Sequence, residues 1–405
     1  MGATPDAHSR NCTILKSRSG VHRFPPPPVI AALLLQLVSC AQPQPYSPEA
    51  PQPPSPSVPS AAARPSPSVR PDPAPTHTEY AGLLPPGLEV ISPENVGRLK
   101  ILAQLPSKPG AAAVACSPDS HTLGQAAQLG KLVLWDLQSG ERLHTLDTFL
   151  ASDESREAYI AYPALAFSPD GTIVASTTES LETEGSAEIH NGGVGLWRTD
   201  AAADPLRIEP TWLYVTSVDF SPDGRLLVVG TKDGFMAQGG RLIVLQAESG
   251  DELRTIDIPG EGVRDLAFSP DGKLIAVAGV AGRVGLWETA GWESLGGLDA
   301  PASAVAFAPD GRKIVLNDGS MWDVTTLEMI REVPSAGLHF FSPDGRLLAS
   351  ANTDLTLLDM STSQEVWRLA SGSDVAGAAF SPDGRILVAA MAEGVLNLWG
   401  VPSVP

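Results

Sequence analysis

Asp265-Leu266-Ala267-Phe268-Ser269-Pro270-Asp271-Gly272-Lys273-Leu274-Ile275-Ala276-Val277-Ala278 is an apolar run, a tight turn and a second apolar run. Proline presets φ for the first central position of a turn, aspartate hydrogen-bonds to nearby backbone amides, and glycine supplies the positive φ that returns the chain. The stretch therefore predicts two antiparallel strands joined by a hairpin turn. A second turn follows, and then a third strand closed by Leu286-Trp287.

The same signature recurs seven times, at Ser117-Pro118-Asp119-Ser120 and at 168–171, 221–224, 269–272, 308–311, 342–345 and 381–384. Successive aspartates are 51, 53, 48, 39, 34 and 39 residues apart, which brackets the roughly 40 to 45 residues of a four-stranded propeller blade. The third strands end in Leu134-Trp135-Asp136, Leu196-Trp197, Leu245-Gln246, Leu286-Trp287, Met321-Trp322-Asp323, Leu358-Asp359 and Leu398-Trp399. Fourth strands follow, as in Glu141-Arg142-Leu143-His144-Thr145-Leu146. With the strands of each repeat lettered a to d, the prediction is an all-β, seven-bladed β-propeller of four-stranded blades.

The last repeat stops at Trp399-Gly400 and has no strand d of its own. Residues 96–105 have the alternation of a strand d and precede the first strand a. Pairing 98–105 beside 395–399 joins the two ends of the ring and leaves no open seam, so an N-terminal strand should complete the last blade.

Across about residues 97 to 400 these turns and Trp positions resemble the WD40 repeat family. The chain departs from that pattern in lacking a Gly-His pair before strand a and in placing Gln246 and Leu358 where Trp is usual. The resemblance implies a propeller; the departures imply blades held more by apolar packing than by the buried hydrogen-bond tetrad of regular WD40 blades.

Residues 88–405 are assigned to the propeller, 40–87 to a tether and 1–39 to a signal peptide with a lipobox. Residues 41–86 are rich in Pro, Ala and Ser with almost no large apolar side chains, so they cannot bury enough surface to fold. Upstream, Arg10, Lys16, Arg18 and Arg23 precede an apolar run at 29–38. That run is half the roughly 20 residues a spanning helix needs, and it reads as the apolar region of a secretory leader. Leu37-Val38-Ser39-Cys40 resembles the bacterial lipobox, which implies lipidation of Cys40 and an exported protein anchored to the bacterial cell envelope. The leader is long, which points to a start downstream of Met1. Cys116 would remain alone in an apolar strand, so no disulfide is expected, and its thiol reads as a small buried hydrophobe.

The net charge is −19, and the segment before Cys40 is basic, so the remainder is more acidic still. Such a surface repels phosphate backbones, and nucleic acid is excluded as a partner. No metal-ligand spacing, nucleophile elbow, phosphate loop or dinucleotide fingerprint occurs; Gly192-Gly193-Val194-Gly195 leads into a strand and reads as a turn. His121, His144, His190 and His339 fall in different blades or strands. No catalytic residue, metal or cofactor is assigned, and the chain is read as a non-enzyme and a monomer.

Two insertions exceed what the fold needs. The d–a connection at 147–162 carries Asp153, Glu154 and Glu157, and the b–c connection at 178–193 carries Glu182, Glu184, Glu188 and His190. Both kinds of connection emerge on one face of a propeller, where long loops either bind or simply solvate the surface. With Trp212 and Tyr214 nearby, they form the candidate partner-binding patch for an as yet unidentified protein. The first reading is an interaction scaffold. The alternative is a propeller-framed enzyme or small-ligand sensor with a site in the central channel.

Overall fold

The computed structural model describes residues 84–107, 112–127, 130–151, 163–184, 187–200, 206–208, 214–233, 239–280, 283–369 and 374–403. They form seven separate sheets: six built on four antiparallel strands in sequential order, one of these with an added parallel strand, and a seventh whose fourth strand comes from upstream. The a strands are Ala112–Cys116, Leu165–Phe167, Tyr214–Phe220, Gly260–Phe268, Val305–Phe307, Leu338–Phe341 and Val375–Phe380. Each packs beside the next, and the last packs beside the first, so the blades close into a ring around their a strands.

The turn chemistry explains why each blade begins as it does. In six turns the serine hydroxyl donates to its aspartate Oδ1 at 2.5–2.7 Å. The same hydroxyl accepts the N–H five residues on at 2.8–2.9 Å, starting strand b. Six glycines close the turns at φ 69–72°, and Ser120 does so at φ 62° in blade 1. The hydroxyl contact also holds the Asp119, Asp170, Asp223 and Asp271 carboxyls below the usual carboxylate range, Asp271 at about 2.

Side chains of a strand alternate between two faces, and here each face meets a different neighbouring blade. In strand b of blade 3, Leu227 and Val229 enter the core shared with blade 2, while Val228 enters the core shared with blade 4. Every one of the seven seams has its own apolar cluster of this kind. The indole ending strand c lies over the residue two before it. A Cβ on Gly195 or Gly285 would stand 2.1 or 2.3 Å from the ring of Trp197 or Trp287. In blade 5 the Trp322 indole instead donates to Ser320 Oγ at 2.8 Å, and in blade 1 the buried Trp135 nitrogen has no partner.

The ring closes as the strand count requires. Lys100–Pro106 pairs antiparallel with Val395–Pro402, from Lys100 opposite Gly400 to Pro106 opposite Val395. Leu88–Glu89 extends the same edge opposite Pro402 and Val401. One expectation is corrected: 96–99 do not continue the strand. Val96–Arg98 forms a 3-10 turn whose Val96 is buried in the blade 6–7 core with Ile91, and burial there outweighs extension of the ladder.

A second correction concerns blade 2. Residues 178–193, expected as a loop, continue strands b and c as a ladder of Ile173–Glu184 against Ala187–Arg198, paired throughout. Polar β-formers such as Thr177, Thr178 and Thr183 support strand as readily as turn. No helix among the described residues is long and apolar enough to cross a membrane.

Candidate functional site

The two insertions meet on one sheet. Phe149–Ala151, from the blade 1 to blade 2 connection, pairs in parallel with Glu179, Ser180 and Leu181 of the long blade 2 hairpin. The register separates the candidate acids by strand alternation. Glu182 is opposite Ile189 and Glu184 opposite Ala187 on one face, while Glu188 and His190 occupy positions of the other. Tyr214 opens strand a of blade 3 and is half-buried. Asp153, Glu154, Glu157, Trp212 and Cys40 lie outside the described residues.

The inner strands of blades 3 to 5 are cross-linked by two carboxylates. Asp219 Oδ2 accepts the N–H of Phe268 in blade 4 at 3.0 Å. Asp265 accepts from the Ser217 hydroxyl of blade 3 at 3.1 Å and from the Val305 N–H of blade 5 at 3.0 Å. Burial pushes the Asp219 carboxyl up to about 7, against the opposing pull of the Phe268 and Phe220 N–H groups, and raises that of Asp265 as well. Their hydrogen bonds are committed to neighbouring backbone and to the Ser217 hydroxyl, so both carboxylates position strands.

A cavity of about 380 Å³ opens beside blades 4 to 6, lined among others by Asp265, Phe268, Phe307, Asn317, His339 and Phe340. The Asn317 side-chain oxygen accepts the Ser303 and Ala304 N–H groups. His339 is 6% exposed, and neither ring nitrogen has a partner. Burial lowers its pKa to about 4, with Asp318 opposing, so the ring is neutral at neutral pH. Sequence reading treated His339 as an isolated histidine; the signal that marks it is positional. Three residues before the turn, the other blades have Val114, Leu165, Val218, Leu266, Val305 and Ala378.

Cys116 is a free thiol in strand a of blade 1, and burial pushes it up to about 12, so it stays protonated. Among the described residues, no group of three or more His, Cys, Asp or Glu side chains is placed to hold a metal ion.

Comparison with known proteins fits this geometry. The model for the WD domain, G-beta repeat, matches residues 209–236, 250–288 and 363–400. The two longer matches each run from strand d of one blade through strands a, b and c of the next, one strand out of step with the blade. The last match ends at Gly400, in the strand with which Lys100–Pro106 pairs. Over 234 residues the chain is 27% identical to periodic tryptophan protein 2 of Arabidopsis thaliana, covering 54% of this chain and 25% of that protein. It is 23% identical to actin-interacting protein 1 of Drosophila melanogaster over 226 residues, 53% of this chain and 34% of that one. With the small ribosomal subunit protein RACK1 of Medicago sativa it shares 31% identity over 134 residues, 31% of this chain and 38% of the relative. The chain thus spans well under half the length of these relatives. Blade count, seam packing and the matched segments together identify a seven-bladed β-propeller carrying WD40 repeats.

Proposed function

We propose that this protein is a protein-interaction scaffold, exported and held at a bacterial envelope by a lipid on Cys40, with blade 2 as its docking region. The reading is carried by the joining of the two insertions into one extended sheet, Phe149–Ala151 with the hairpin of Ile173–Glu184 and Ala187–Arg198, a structure the ring does not need. It is supported by the WD40 repeats, which generally serve protein binding and not catalysis. The acids towards the tip of the hairpin, Glu182, Glu184 and Glu188, suit a basic partner surface. The lipid anchor rests on Leu37-Val38-Ser39-Cys40 and the apolar run before it. Crosslinking in the native envelope should capture a protein with the wild type and lose it when Glu182, Glu184 and Glu188 are all changed to Gln; unchanged capture would remove blade 2 from the account. Cys40→Ala should release the chain or leave it unprocessed, and normal processing with retained membrane association would refute lipidation.

The cavity beside His339 favours a second reading, a small-ligand sensor. A ligand retained through purification would make natively purified chain melt higher than the same chain denatured and refolded; equal melting rejects it.

A further inference from the structure

A buried polar group without a partner costs stability, and each one in a native fold calls for a reason. His339 is such a group. It sits in the inner strand of blade 6 where the other blades have an apolar side chain, and among the described residues neither ring nitrogen has a partner. Its ring lines the cavity of about 380 Å³, a volume in the range of small-molecule sites.

Asn317 lines the same cavity from blade 5 and is held on three sides. Its side-chain oxygen accepts the Ser303 and Ala304 N–H groups at 2.8 and 3.2 Å, its N–H donates to the Ala304 carbonyl at 3.2 Å, and its carbonyl accepts the Gly337 N–H at 2.8 Å. Those bonds fix the side chain and leave its Nδ2 unengaged among the described residues. The bond from Gly337 also brings His339, two residues further on, to the Asn317 end of the cavity. Phe268, Phe307 and Phe340 supply flat apolar wall. Asp265 lines the cavity and Asp318 acts on His339 through its charge, so an anion is repelled.

A neutral imidazole presents one N–H and one bare nitrogen, and the Asn317 amide presents N–H groups. A hydroxyl answers both kinds, because it donates and accepts. We propose that this cavity binds a small uncharged aromatic molecule carrying a hydroxyl, its ring against the phenylalanines and its hydroxyl between Asn317 and His339. The inference rests on the small-ligand reading and names the chemistry of the ligand. Both imidazole nitrogens are covered, so binding turns the ring about χ2, a broad torsion.

The probes are 2-naphthol, naphthalene and 2-naphthoate, titrated into the full chain at neutral pH, where the naphthol is uncharged. Naphthol should bind, with amide exchange slowed over 313–317 and 338–341, and the other two should each bind about tenfold more weakly. Asn317→Asp keeps the oxygen that holds Ser303 and Ala304 but loses the donor, and His339→Leu keeps the site apolar. Each should weaken naphthol about tenfold, and His339→Leu should leave naphthalene unweakened. Equal binding of naphthol and naphthalene, tighter binding of naphthoate, protection confined elsewhere, or naphthol affinity unchanged in either variant overturns the proposal. So does the absence of naphthol binding: if natively purified chain still melts higher than refolded chain, the sensor reading survives with another ligand class, and if the two melt alike both fall.

Discussion

Ala308 stands where six other turns have a serine, so blade 5 lacks the hydroxyl that elsewhere donates to the turn aspartate and accepts the first strand b N–H. Asp310 keeps the bond from the Arg312 N–H at 2.9 Å and an exposed ion pair with Lys313 at 3.7 Å. Ala308→Ser should therefore raise stability by about 1 kcal/mol, and Ser221→Ala should lower it by about 1–2 kcal/mol, both read from urea midpoints at constant slope. Asp219 makes a pH prediction. Its folded pKa is raised from 3.8 to about 7, so its buried carboxyl weakens the fold as it ionises. This group's contribution is most favourable below pH 4, declines between pH 4 and 7, and is constant above. Asp219→Asn should flatten that window, by an amount on the order of 4 kcal/mol at most, and an unaltered pH profile would contradict the burial argument. His339→Leu should stabilise the chain, because an apolar side chain leaves no unpaired ring nitrogen in the core. The turn serines and aspartates were legible in sequence because their partners lie within five residues. The Asp219 and Asp265 bonds to Phe268 and Val305 were not, since those partners lie 49 and 40 residues away in other blades.

At the scale of the element, the fourth strands share a feature that follows from how they meet strand c. The register shifts by one residue at Leu102, Leu143, Leu253, Leu295, Ile330 and Val366, an apolar bulge at the same place in six blades. Bulges sharpen twist and turn an edge away from flat pairing. Strand c has its own rule, the indole folded back over the residue two before it. Gly285→Val places a branched side chain where the Trp287 ring lies and should cost about 1–3 kcal/mol by overpacking, read as a lowered melting temperature. Blade 2 shows where sequence reading stopped. Its hairpin contains Glu179, Glu182, Glu184 and Glu188 with few large apolar residues, and a strand that projects beyond a core loses the alternation by which strands are recognised. The acids were found, but as a loop; paired backbone divides them between two faces.

For the whole molecule, the decisive inference was arithmetic: seven turns, seven third strands and one fourth strand missing at the end. The structure supplies that strand from upstream, and the two longer WD40 matches, each offset by one strand from the blade, agree with the arrangement. A ring held by one apolar cluster at each seam is only as stable as its last seam, so the strand of Lys100–Pro106 fastens two ends of the domain rather than one more edge. Gln104 and Asn397 face each other across the closing ladder, 293 residues apart, with the Gln104 amide donating to Asn397 Oδ1 at 2.8 Å. Replacing both by Cys, in a chain whose native cysteines are Ala, tests the closure directly. Oxidation should yield an intramolecular disulfide and raise stability by about 5 kcal/mol through the long loop it closes; a pair that stays reduced, or that links only separate molecules, would contradict the closed propeller.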